Sequence, residues 1–136
     1  MIYFNYETDF KLDNEDVIAK WISRVVSSEG FKVEEINYIF CNDDYLHKLN
    51  VEFLNHDTLT DIISFDYTIG KIVQGDIFIS VERVADNAKD FGVAFEEELH
   101  RVMVHGVLHY CGYKDKTKTD QTRMRERENH YLKGIL

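Results

Sequence analysis

Apolar residues along the chain recur at two spacings, and the switches between them mark nine elements. Ile2–Tyr6 reads as a short strand. Across Glu15–Ser28 the set Val17, Ile18, Trp21, Ile22, Val25 and Val26 repeats at helical spacing behind Asp13 or Asn14 as a cap, and Gly30 ends the helix. Residues 33–40 alternate Ile36, Tyr38 and Phe40 as a strand. Asn42 or Asp43 caps a short helix that turns Leu46, Leu49 and Phe53 inward. A polar connection over 54–60 leads to a strand at 61–66, and a turn around Gly70 leads to another at 76–80. Ser80 caps a helix over Val81–Phe91 with Val84, Ala85, Ala88 and Phe91 toward the core, closed by Gly92. The next helix starts near Ala94 with an acidic first turn, Glu96 to Glu98, which suits the positive end of a helix. It is apolar nearly all round (Leu99, Val102, Met103, Val104, Val107, Leu108, Tyr110), as a buried helix is. Thr119 or Asp120 caps a last helix over roughly 121–133.

This order predicts an α/β (α+β) fold: one mixed four-stranded sheet with about five helices packed on it. Strands joined by helical crossovers should run parallel, and the short 67–75 connection should make one antiparallel pair. No repeat, low-complexity run or linker divides the 136 residues, so 1–136 reads as a single domain able to bury its own core. No stretch of eighteen apolar residues is available to span a membrane, and the first residues lack the basic and long apolar regions of a signal peptide. Cys41 and Cys111 form no CxxC and suggest no disulfide framework, which makes a soluble cytoplasmic protein the expectation.

Charge refines the picture. A net charge of −9 argues against nonspecific coating of nucleic acid, but residues 114–136 hold seven Lys/Arg against four Asp/Glu. The one basic segment therefore directly follows the stretch with the most distinctive chemistry, His105-Gly-Val-Leu-His109-Tyr-Cys-Gly112-Tyr113-Lys-Asp115. Histidines four apart on a helix share a face and can converge on one cation. Gly112 offers a left-handed exit from the helix, after which the chain can bring Asp115 back as a third ligand. Two imidazoles and a carboxylate suit zinc and leave a coordination position open. The metal site is thus placed on a C-terminal helix, at His105, His109 and Asp115, holding one zinc or another divalent transition metal. The spacing His-x3-His-x2-Gly-x2-Asp reproduces the zinc frame of the metzincin proteases, except that Gly106 stands where those enzymes need a general-base Glu.

With motif and element order together, the chain resembles the YbeY family of bacterial rRNA-maturation endoribonucleases. His105-Gly-Val-Leu-His109-Tyr-Cys-Gly112-Tyr113 is similar to the family's HGxLHxxGY signature. Leu49-Asn50, Phe53, Asp57, Thr60-Asp61 and Ser64-Phe65 are similar to its LN…F…D…TD…SF block, and Gly75-Asp76-Ile77 to its GDI strand. The resemblance implies a metal-dependent endoribonuclease specific for single strands. Such an enzyme trims the 3′ end of small-subunit (16S) ribosomal RNA and serves ribosome quality control, with the small subunit as partner. Two positions depart from the family. Asp115 stands where the family has histidine, adding negative charge beside the metal. Leu54 stands where an arginine is common, removing a bidentate phosphate clamp.

Metal-assisted phosphodiester hydrolysis is the chemistry implied. Lys114, Lys116 and Lys118 are candidate RNA contacts that could offset transition-state charge, and Asp61 or Ser64 could orient an imidazole. No general base is assigned, and His47, His56, His100 and His130 read as spectators. Two alternatives stay open: a zinc metallopeptidase-like hydrolase, and a ribosome-assembly factor whose metal is chiefly structural.

Overall fold

A computed structural model describes residues 1–56 and 58–135; Asp57, part of the motif block above, lies outside the described residues. The order is β1 (Ile2–Tyr6), α1 (Glu15–Ser28), β2 (Lys32–Cys41), α2 (Asp43–Leu54), β3 (Ile62–Asp66), β4 (Ile72–Ser80), α3 (Val81–Phe91), α4 (Phe95–Tyr110) and α5 (Lys118–Leu132). The sheet runs β1-β2-β4-β3, with β1, β2 and β4 parallel and β3 antiparallel to β4. The expected class and strand count are those observed, as are the parallel β1–β2 crossover and the antiparallel β3–β4 pair. β2 and β3, also joined through a helix and expected parallel, run antiparallel with β4 between them, because β3 starts at the end of the sheet where β2 leaves it.

Strand alternation sorts the core into two layers. Ile36, Tyr38 and Phe40 of β2, with Val73, Ile77 and Ile79 of β4, join Ile18, Trp21 and Ile22 of α1 and the apolar body of α4 on one side. Cys41, Ile63 and Leu46 pack on the other, with Leu49, Phe65 and Phe78 against them. The caps follow the chemistry of their residues: Asn42 accepts from the Tyr45 amide and Ser80 from that of Arg83, and Gly92 closes α3 at φ +68°.

Several boundaries and faces differ from the sequence reading; Val17 of the α1 stripe, expected in the core, is 42% exposed. β4 starts at Ile72 rather than residue 76, because pairing with β2 from Lys32 onward recruits the segment around Gly75. α5 starts one turn early, capped by Thr117, whose hydroxyl accepts from the Asp120 amide. Phe53, expected inside, is 60% exposed and touches only the edge of the Phe65 ring among the aromatics. Phe91, also expected inside, is 60% exposed. Both sit at a helix end that runs past the layer it packs on, where periodicity no longer guarantees cover.

Two close approaches fix α4 on the sheet. A Cβ at Gly106 would stand 3.0 Å from Ile77 Cδ1 and 3.2 Å from Ile62 Cδ1, so the missing side chain lets the helix settle onto β3 and β4. Near the helix end, the Tyr110 ring fills the space a Cβ at Gly75 would take, and its hydroxyl lies 3.1 Å from the Phe65 carbonyl and 3.0 Å from that of Asp76. α5 is held in turn by the Trp21 indole, which donates to the Tyr131 carbonyl at 3.0 Å.

Candidate metal centre

With Gly106 turned to the sheet, the adjoining face of α4 turns toward a cleft, and along it Glu98, Arg101, His105 and His109 recur at spacings of three, four and four. This polar stripe on an otherwise apolar helix forms the floor of a cleft of about 920 Å³. One wall comes from α5 (Lys118, Gln121, Thr122, Arg125) and the other from the start of β3 and from α3 (Asp61, Ile62, Asn87, Phe91).

The end of α4 assembles the ligand set. Gly112 takes φ +99°, a conformation other residues adopt only under strain, and the Tyr113 amide donates back to the Leu108 carbonyl at 3.0 Å. That turn returns Asp115 beneath the two histidines. His105 Nε2 and His109 Nε2 are 3.0 Å apart, and Asp115 Oδ2 lies 3.3 Å from the first and 3.2 Å from the second. Three tetrahedral ligands about 2.0–2.1 Å from zinc stand roughly 3.3 Å from one another, so the donor triangle fits such an ion.

Proton bookkeeping supports the same fit. His109 Nδ1 faces the Tyr113 carbonyl at 2.9 Å, and a carbonyl only accepts, so this nitrogen carries the proton. His105 Nδ1 faces Glu128 Oε2 at 2.6 Å. In each neutral imidazole Nε2 is then a lone-pair donor. Two such lone pairs and a carboxylate oxygen crowd one point with no proton among them, an arrangement a cation relieves. Among the described residues these three form the group able to hold a metal ion.

Glu128 was missed by the sequence reading. It is 4% exposed, and its second oxygen lies 3.1 Å from Arg101 Nη1. A signal did exist: Met124, Glu128 and Tyr131, spaced i, i+4, i+7, are the buried positions of α5, and a carboxylate in such a row needs a charged partner. Burial works to lower the His105 pKa, but the hydrogen bond and charge of Glu128, with Asp115 and Asp61, outweigh it and raise it. Burial raises the carboxyl pKa of Asp61 and, against the nearby Arg101, that of Glu98.

The other candidate residues are placed as follows. Asp61 and Ser64 both line the cleft. The Asp61 carboxylate accepts from the Asn87 amide at 3.4 Å, and Ser64 lies on β3 beside Phe65, whose carbonyl accepts from the Tyr110 hydroxyl. The imidazole partners are Glu128 and the Tyr113 carbonyl instead. Lys118 lines the cleft, whereas Lys114 lines a separate depression with Lys71 and Arg123, and Lys116 is exposed. Burial pushes the Cys111 thiol up to about 12, which keeps it protonated and packing-like. His100 lies edge-on to Trp21, away from the cleft, and His130 against Tyr131.

Comparison with known proteins covers the same length as this architecture. A family model described as Endoribonuclease YbeY matches residues 3–135. Proteins named Endoribonuclease YbeY are 67% identical over 132 residues in Flavobacterium johnsoniae (97% of this chain, 95% of the relative). In Flavobacterium psychrophilum the figure is 59% over 133 residues (98% and 95%). The solution structure of a Thermotoga maritima protein is similar at a TM-score of 0.71 and 26% identity, covering 99% of this chain and 89% of that one. Fold, motif and near end-to-end identity converge, and the chain belongs to the endoribonuclease YbeY family.

Proposed function

We propose that residues 1–136 act as one metal-dependent hydrolase domain, a single-strand-specific endoribonuclease. Its place is in 3′-end maturation of small-subunit ribosomal RNA and in ribosome quality control, in the cytoplasm. The observation that carries this reading is the convergence of three potential ligand atoms, 3.0–3.3 Å apart, on the floor of an open cleft. His105, His109 and Asp115 would hold one zinc or similar divalent ion. Such an ion supplies Lewis-acid polarisation of a phosphoryl oxygen and acidifies water.

The chain's own groups do the rest. Glu128 and the Tyr113 carbonyl fix both imidazoles in the tautomer that presents Nε2. Lys118 and Arg125 on the α5 wall offset the charge of a phosphodiester lying in the cleft. Asp61, whose carboxyl pKa burial raises, lines the same cleft and is a carboxyl group able to exchange a proton there.

A peptidase reading is disfavoured by Gly106, which offers no general-base carboxylate directly after His105. A chiefly structural metal is disfavoured by three-donor coordination in an open cleft, which leaves a position free. The test is incubation with single-stranded RNA, with a ribosomal RNA precursor and with casein, with and without chelator. RNA cleavage lost on chelation and in His105→Ala/His109→Ala supports the reading; cleavage that survives in that variant overturns it.

A further inference from the structure

α3 ends in a way that its own periodicity does not explain. Val84 and Ala88 are buried, and Phe91, next on the same stripe, emerges 60% exposed into the cleft that holds His105, His109 and Asp115. Leaving a phenyl ring in water forgoes much of the stabilisation that burying it would contribute. Asn87, one turn earlier on α3, reaches the Asp61 carboxylate, and Asp61 senses the charge of His105. The ring is therefore a turn of helix beyond a residue that already touches the metal end of the cleft. Facing it across the opening are the exposed cations Lys118 and Arg125. An open aromatic face on one wall and cations on the other is the division of labour by which proteins hold single strands, bases stacked and phosphates neutralised.

We infer that Phe91 is a stacking platform for one unpaired base of the RNA strand, next to the nucleotide at the metal site, and so helps select single strands. This rests on the reading of the cleft as the RNA site. Bases in a duplex stack on each other and offer the ring no free face.

The test uses metal-loaded protein and a short 2′-O-methyl phosphorothioate oligonucleotide that resists cleavage. Phe91→Ala should weaken its binding roughly tenfold and narrow the preference for single-stranded over duplex RNA, while Phe91→Tyr should retain both. An abasic position moved along the oligonucleotide should, at one place, bring wild type down to the Phe91→Ala level. Phe91→Trp adds an exposed indole to a chain whose own tryptophan, Trp21, is buried, and its emission should be quenched on binding. Because the ring is exposed, its truncation leaves the core intact, which circular dichroism checks. If Lys118→Glu/Arg125→Glu weakens binding and Phe91→Ala does not, the stacking role is wrong. If neither changes binding, the RNA lies elsewhere and the cleft reading falls with it.

Discussion

Glu128 of α5 and His105 of α4, 23 residues apart in sequence, meet at 2.6 Å through a carboxylate oxygen and Nδ1. Arg101 holds the other oxygen of the same carboxylate at 3.1 Å. The chain Arg101–Glu128–His105 crosses from α4 to α5 and back, and the imidazole cannot turn without breaking it. Glu128→Gln keeps the shape but removes the charge that favours Nδ1–H. Zinc affinity, measured by competition with a chelating dye, should fall about 10–100-fold, with the fold retained by circular dichroism.

Metal binding should be visible as stability. An ion that binds the folded state alone adds about 2.7 kcal/mol at a hundredfold excess over its Kd. Urea unfolding with zinc at that excess should show this gain in wild type and lose it in Asp115→Ala. An equal gain in Asp115→Ala would place the ion at other residues.

Gly106→Ala sets two effects against each other. Alanine gains about 1 kcal/mol of helix propensity, but its Cβ lands 3.0 Å from Ile77, itself fully buried. Overpacking a tight core costs about 1–3 kcal/mol, so the variant should be less stable in urea than wild type. Ile77→Val in the same chain should recover part of the loss by removing the Cδ1 methyl.

His100 supplies an acid-side sensitivity that is separate from the site. Burial lowers its pKa below 6.5, with Glu96 opposing. Between that lowered value and 6.5 the unfolded chain binds the proton that the fold resists, so stability rises with pH there. The neutral ring's contribution is complete above pH 6.5 and is lost as pH falls through the folded-state value. His100→Phe, which keeps an aromatic edge on Trp21, should reduce the loss of urea stability between pH 7.5 and 5.5.

The legible parts of this protein were the local ones. His105, His109 and Asp115 lie within one helix and its exit turn, so spacing alone brings them together, whereas the rule that a helical crossover joins parallel strands holds for β1–β2 and fails for β2–β3. Glu128 depended on how α5 docks, which no local spacing encodes, although its place between Met124 and Tyr131 marked it as a buried charge. Phe53 and Phe91 were misplaced for a related reason: periodicity tells which way a side chain points, but not how far the neighbouring layer extends. Lys114 and Lys118 were grouped by sequence, and the turn after Gly112 sends them to different depressions. The early start of β4 came from pairing with β2 rather than from its own alternation.

The order in which these residues leave the ribosome gives the Glu128 contact a second meaning. A nascent chain that has just released Asp115 already owns all three donor atoms of the candidate metal centre, yet one imidazole still swings free. Only when the last helix has been made and seated does the grip become rigid, so a half-made copy of this nuclease is poorly armed.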